Sequence, residues 1–86
     1  MSRYRVSGEW GAETRRRDFF LQSADLLDTQ TNTVYRDGAY RVVDARDGMK
    51  PAKRGKGGTV PFKGEFAWAD GQRLMNDLYF EREMGR

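Results

Sequence analysis

The chain has no cysteine, no histidine and no isoleucine, only two prolines, and no acidic residue from Gly48 through Gly64. Without cysteine it has neither a disulfide framework nor a thiolate nucleophile, which agrees with a reducing compartment. Without histidine it lacks the commonest metal ligand and the usual general base at neutral pH. Long apolar runs are missing too: none exceeds four residues, whereas a membrane-spanning helix needs about 20. The opening residues MSRYRVSGEW place Arg3 and Arg5 before no apolar stretch, so a secretory signal is not expected. These absences predict a cytoplasmic protein that makes no membrane contact and carries no cofactor.

What remains is 86 residues of polar, arginine-rich chain with a net charge of +3. A domain of this size buries about 60–65% of its unfolded surface, enough for one modest core and no deep pocket. The charge is unevenly spread. All four lysines, Lys50, Lys53, Lys56 and Lys63, fall together with Arg54 between Gly48 and Gly64. These five positive charges exceed the net charge of the chain, so everything outside that stretch sums to −2.

Periodicity supplies the framework. Tyr4, Val6, Gly8 and Trp10 alternate with Arg3, Arg5, Ser7 and Glu9, the period-two pattern of a half-buried strand. Val60, Phe62, Gly64, Phe66 and Trp68 alternate with Pro61, Lys63, Glu65 and Ala67, which predicts a strand over residues 59–68 with Pro61 at an edge or bulge. Between them, TVYR and AYRVV flank Asp37-Gly38. Asp-Gly predicts a two-residue type I′ turn, because both central residues then need positive φ and these two tolerate it best. Such a hairpin sets Tyr35 opposite Tyr40 and Val34 opposite Arg41, with the tyrosines inward and Arg36 and Arg41 outward.

Residues 14–29 admit two readings. A helix groups Phe19, Phe20, Ser23, Leu26 and Leu27 on one face; a strand runs from Arg16 to Ser23 and turns at Ala24-Asp25. The paired phenylalanines do not decide between the two, and the strand followed by a turn is the reading preferred. Asp70 predicts the start of a C-terminal helix that runs through Met84, with Leu74, Met75, Leu78 and Tyr79 as its apolar stripe. The fold class is therefore α+β: a single domain over residues 1–86, built as a small antiparallel sheet or partly open barrel of four to five strands with one C-terminal helix. Residues 48–58 form a flexible basic Gly/Lys loop within it.

No catalytic constellation emerges. The acid pairs Asp25/Asp28 and Asp44/Asp47 lack a third ligand or a calcium-loop glycine pattern, and read as turn or capping residues. KRGKGGT fails as a phosphate-binding loop, because Lys56 is followed by two glycines and not by Ser or Thr. VYRDGAYRVV resembles, over about ten residues, the strand pair of RelE/ParE-type toxins, in which arginine can act in RNA cleavage without cysteine. Those toxins place two helices before the pair, the residues preceding it here supply one strand and at most one helix, and no residue role carries over.

The basic stretch is the feature that points to a role. MKPAKRGKGG has no apolar anchor, and its glycines make ordering costly; such a segment conforms to a phosphate backbone and asks for no particular sequence. Lys50, Lys53, Arg54, Lys56 and Lys63 are its contacts, extended by Arg36 and Arg41 on the hairpin and by Arg15, Arg16 and Arg17. The expectation is a non-enzymatic binding module whose partner is nucleic acid or an acidic protein surface. Two alternatives share that surface: a phage- or plasmid-type protein-binding inhibitor or adaptor of a nucleic-acid-handling machine, and a virion or assembly component. Self-association is compatible with either. Trp10, Phe62, Phe66 and Trp68 read as core residues in preference to a base-stacking platform.

Overall fold

The computed structural model describes residues 3–52 and 66–85. Its strands β1 (Tyr4–Arg16), β2 (Phe19–Asp28), β3 (Thr33–Asp44) and β4 (Lys50–Pro51) form a curled antiparallel sheet in the order β1-β2-β3-β4, and helix α1 (Ala67–Glu83) follows. The α+β class with one C-terminal helix is thus observed.

Residues 14–29 contain no helix: β1 continues to Arg16, and β2 runs unbroken through Ala24 and Asp25, where a turn was expected. The turn falls instead at Arg17-Asp18, because Arg16 pairs directly with Phe19. Arg17 takes φ 56° to close it, an uncommon conformation for a side chain of that size. β2 is buried on both faces, so FFLQSADLLD lacks the alternation of a one-sided strand, and Gln22, Ser23 and Asp28 are buried along with its apolar residues. Phe19 and Leu21 join Tyr40 and Val42 against the helix, while Gln22 and Ala24 share the opposite face with their partners Arg41 and Ala39.

Asp37-Gly38 is not a hairpin turn. β3 passes straight through it, and Tyr35 pairs with Leu26 while Ala39 pairs with Ala24, leaving Arg36, Asp37 and Gly38 opposite Asp25 alone. The conformational tolerance of Asp-Gly is used for a bulge. Asp37 adopts φ 54°, its amide donates to Asp25 Oδ1 at 3.0 Å, and its carboxylate accepts from Ser23 Oγ at 3.1 Å. Gly38 serves by size, since a Cβ there would lie 2.8 Å from Tyr35 Cβ. β3 pairs with β2 because that strand offers a longer apolar ladder than the other half of its own segment. The turn that joins them, residues 29–32, ends on Asn32 at φ 59°. The expected facing of Tyr35 with Tyr40 and Val34 with Arg41 is replaced accordingly: their partners are Leu26, Ser23, Leu27 and Gln22. Tyr40 is buried as expected, and Tyr35 and Arg41 are half-buried.

The strand expected over residues 59–68 is corrected at its end. Ala67 and Trp68 are the first residues of α1, and Phe66 precedes them as the N-cap position, 67% exposed. The helix therefore starts before Asp70, which lies in its first turn, where its charge favours the N-terminal dipole. The helical stripe replaces the period-two aromatics as the buried set: Ala67, Gly71, Met75 and Leu78 are the buried positions, with Trp68, Leu74 and Tyr79 packed beside them. Residues 59–65, with Phe62, lie outside the described residues. Gly71 lets the helix sit close to the sheet, because a Cβ would fall 2.6 Å from Leu21 Cδ1 and 3.0 Å from Tyr40 Cδ1. Gly85 at φ 73° ends the helix in the left-handed conformation common there.

Candidate nucleic-acid interface

The β1–β2 turn gathers three consecutive arginines at one tip of the sheet. On the helix side, Arg16 donates through Nη1 to Asn76 Oδ1 at 2.7 Å, and its guanidinium lies 4.2 Å from the centre of the Tyr79 ring and 4.9 Å from that of Phe80. The two rings meet edge to face at 5.4 Å. Arg17 is exposed, and its hydrogen bond with the Tyr79 hydroxyl raises its pKa, with the charges of Glu83 and Asp18 adding to the effect. On the opposite face Arg15 packs over Phe20 at 5.2 Å, and its Nε donates to the Arg17 carbonyl at 2.6 Å.

Lys50 joins this end through the sheet register. Arg16 pairs with Phe19, Phe19 with Asp44, and Asp44 with Lys50, so β4 leaves the sheet in the same transverse row. Arg46 stands nearby, exposed, with Asp18 at 3.8 Å.

The row is anchored by Asp44. Its Oδ1 accepts from the Arg46 amide at 2.9 Å and from Arg82 Nη1 at 3.2 Å, and Arg82 Nη2 completes the fork on Oδ2. The Arg82 guanidinium holds this carboxyl below the usual carboxylate range, with smaller help from the Arg46 amide and charge. Arg82 also stacks over Phe19 at 4.3 Å, clamping the last turns of α1 to the tip.

The other expected contacts separate from this site. Arg41 is half-buried over Trp10 at 4.7 Å and donates to Gln22 Oε1 at 2.7 Å; burial lowers its pKa, although a guanidinium remains charged at any physiological pH. Arg36 is exposed at the β3 bulge, roughly 23 Å along the sheet from the tip at about 3.3 Å per residue. Lys53, Arg54, Lys56 and Lys63 lie outside the described residues. The described residues carry eleven basic and twelve acidic side chains, so the positive charge of the chain belongs to residues 53–65 and Arg86.

The sequence reading missed Phe20, Tyr79 and Phe80 as part of this site. Phe80 lies outside the buried stripe of α1 and is 48% exposed. That mismatch between an aromatic side chain and the helical period was a readable signal. Trp10 and Trp68 are half-buried, as core-forming aromatics would be, whereas Phe66 is not.

One carboxylate of each acid pair acts as a turn or capping group. Asp28 accepts from the amides of Gln30 and Thr31 and receives a fork from Arg3, and Asp44 caps the turn at Arg46. No group of three or more metal-ligating side chains occurs among the described residues. A polar cleft of about 190 Å³ opens where β1 and β3 are irregular, lined by Ser7, Glu9, Ser23, Asp25 and Asp37 among others. No helix among the described residues is long and apolar enough to cross a membrane. Comparison with protein-family models, with curated proteins and with solved structures yields no match to this chain.

Proposed function

We propose that this chain is a non-catalytic binding module that contacts nucleic acid, alone or within a nucleoprotein complex, through the basic tip of its sheet and the lysine-rich stretch that follows it. The observation that carries the reading is the convergence of Arg15, Arg16 and Arg17 with Lys50 at one end of the sheet. Lys50 leads by two residues into Lys53, Arg54 and Lys56, in a stretch with no acid to compete for them. Guanidinium and ammonium groups gathered in this way suit phosphate oxygens, and they act through counterion release without reading sequence. A chain lacking both histidine and cysteine has the composition of a binder more than of a catalyst.

Replacement of Lys50, Lys53, Arg54 and Lys56 together by serine tests the reading. The melting temperature should stay nearly constant. On duplex DNA the slope of log K against log salt should fall in magnitude by about 3–4, following roughly 0.9 for each phosphate that is no longer neutralised, and unrelated sequences should weaken alike. If the wild type shows no affinity for DNA or RNA even at low salt, the reading is overturned in favour of a protein-binding inhibitor.

A further inference from the structure

We infer that the tip carries a base-stacking site centred on Phe80, and that its ligand is single-stranded nucleic acid in preference to duplex. The inference rests on the nucleic-acid reading above and assigns it a substrate class. Phe80 is an aromatic ring on a rigid helix that leaves almost half its surface to solvent. Arg16 lies over it at 4.9 Å, and Arg16 is itself fixed by Asn76, so ring and guanidinium are held together before any ligand arrives. Arg17, exposed in the adjoining turn and hydrogen-bonded to Tyr79, is the phosphate contact.

This pairing of a fixed ring with adjacent cations is what sequence-tolerant single-strand binders use: the base stacks on the aromatic face while the backbone follows the charge. Duplex bases already have both faces stacked, so the ring has nothing to receive from them. Glu83 and Asp18 lie close enough to Arg17 to act on it through their charge. They temper phosphate attraction at this point and leave stacking as the larger share of the local contact.

The test compares Phe80→Leu, Phe80→Ala and Phe80→Trp on a labelled thymidine oligonucleotide of about 12 nucleotides and on a duplex, by anisotropy, with a thermal melt of each variant. The Leu and Ala variants should bind the single strand about 5–150-fold more weakly, in line with the removal of one stacked base. Their duplex affinity should change by less than about two-fold, and the salt slope should not move, since no charge is removed. Phe80→Trp should match or exceed the wild type, and oligonucleotide should quench its added fluorescence. The Leu variant keeps the apolar packing of the side chain, so it loses affinity only if the π face matters.

Single-strand affinity that survives Phe80→Leu, or a wild type that binds duplex alone, overturns the stacking site and leaves the nucleic-acid reading standing. A wild type that binds neither form at low salt overturns both.

Discussion

The two ends of the sheet are closed by the same chemistry put to different uses. At one end Arg3 donates from Nε and Nη2 to Asp28 at 3.0 and 2.8 Å, and Asp28 also gathers the amides of Gln30 and Thr31, so the fork closes a loop between neighbouring strands. At the other end Arg82 forks onto Asp44, and the fork reaches from helix to sheet across 38 residues of chain. Both carboxylates are buried. The difference lies in what depends on them: the first orders four residues of turn, the second holds in place the helix that presents Tyr79 and Phe80. An identical ion pair is therefore local reinforcement in one place and tertiary docking in the other.

The largest expected effect comes from breaking the docking fork. Asp44→Ala leaves Arg82 unpaired over Phe19 and removes the cap on the Arg46 amide, and should cost about 2–3 kcal/mol in urea denaturation, less than a fully buried pair because Arg82 stays partly in water. Amide exchange in the second half of α1 should accelerate with it. Asp28→Ala should cost less and should leave helix exchange unchanged. Equal helix exchange in the two variants would dissolve the distinction between the ends.

A smaller effect tests whether the helix is held by close approach as well as by the fork. Gly71→Ala improves helix propensity by up to about 1 kcal/mol. It also forces a methyl group to within 2.6 Å of Leu21 Cδ1, and overpacking of this kind costs roughly 1–3 kcal/mol. The net change should be a destabilisation of about 1 kcal/mol by chemical denaturation, from the difference of those two effects, and a gain in stability would show that the helix can back away freely.

The most gradual effect is acid dependence. Both Asp28 and Asp44 have pKa values depressed by their arginines. A lowered folded-state pKa means that the stabilisation is complete above the unfolded value of about 3.9 and is lost as pH falls through the folded value. The melting temperature should therefore hold steady from pH 7 to about 5 and decline below about 4. Asp44→Asn should flatten that decline, since one of the two titrating carboxylates is gone; an unchanged decline would mean that Asp44 is not held ionised by Arg82.

Much of the fold was legible because its signals are local. The alternation from Tyr4 to Trp10 marks β1, and the apolar stripe ending at Tyr79 marks α1, since each follows from the period of its own element. Asp37-Gly38 misled because its chemistry specifies positive φ and a missing Cβ, and a bulge needs both as much as a turn does. The residues that decide between them sit elsewhere, in β2, which offers β3 its longer partner. Residues 66–68 misled because Phe66 and Trp68 keep the strand's period of two, while the helix that forms there buries Ala67 between them and leaves Phe66 exposed.

For the site, the arginine run at residues 15–17 was visible as charge. Its stacking against Phe20, Tyr79 and Phe80 was not, because Arg16 and Phe80 are brought together only when the helix folds back over the first hairpin. Arg41 shows the reverse: a residue chosen for its charge is engaged with Trp10 and Gln22, partners set by cross-strand register.

That Arg41–Trp10 stack has a spectroscopic consequence. Trp10 lies under a guanidinium on the face of the sheet away from the helix, while Trp68 packs into the cluster between sheet and helix. The chain has no other tryptophan, so it carries two intrinsic fluorophores in distinct electrostatic surroundings, one on each side of a single sheet. Trp10→Phe and Trp68→Phe each leave one emitter. With them, the closing of the strand layer and the docking of the helix can be followed separately as the chain folds, without attaching any label.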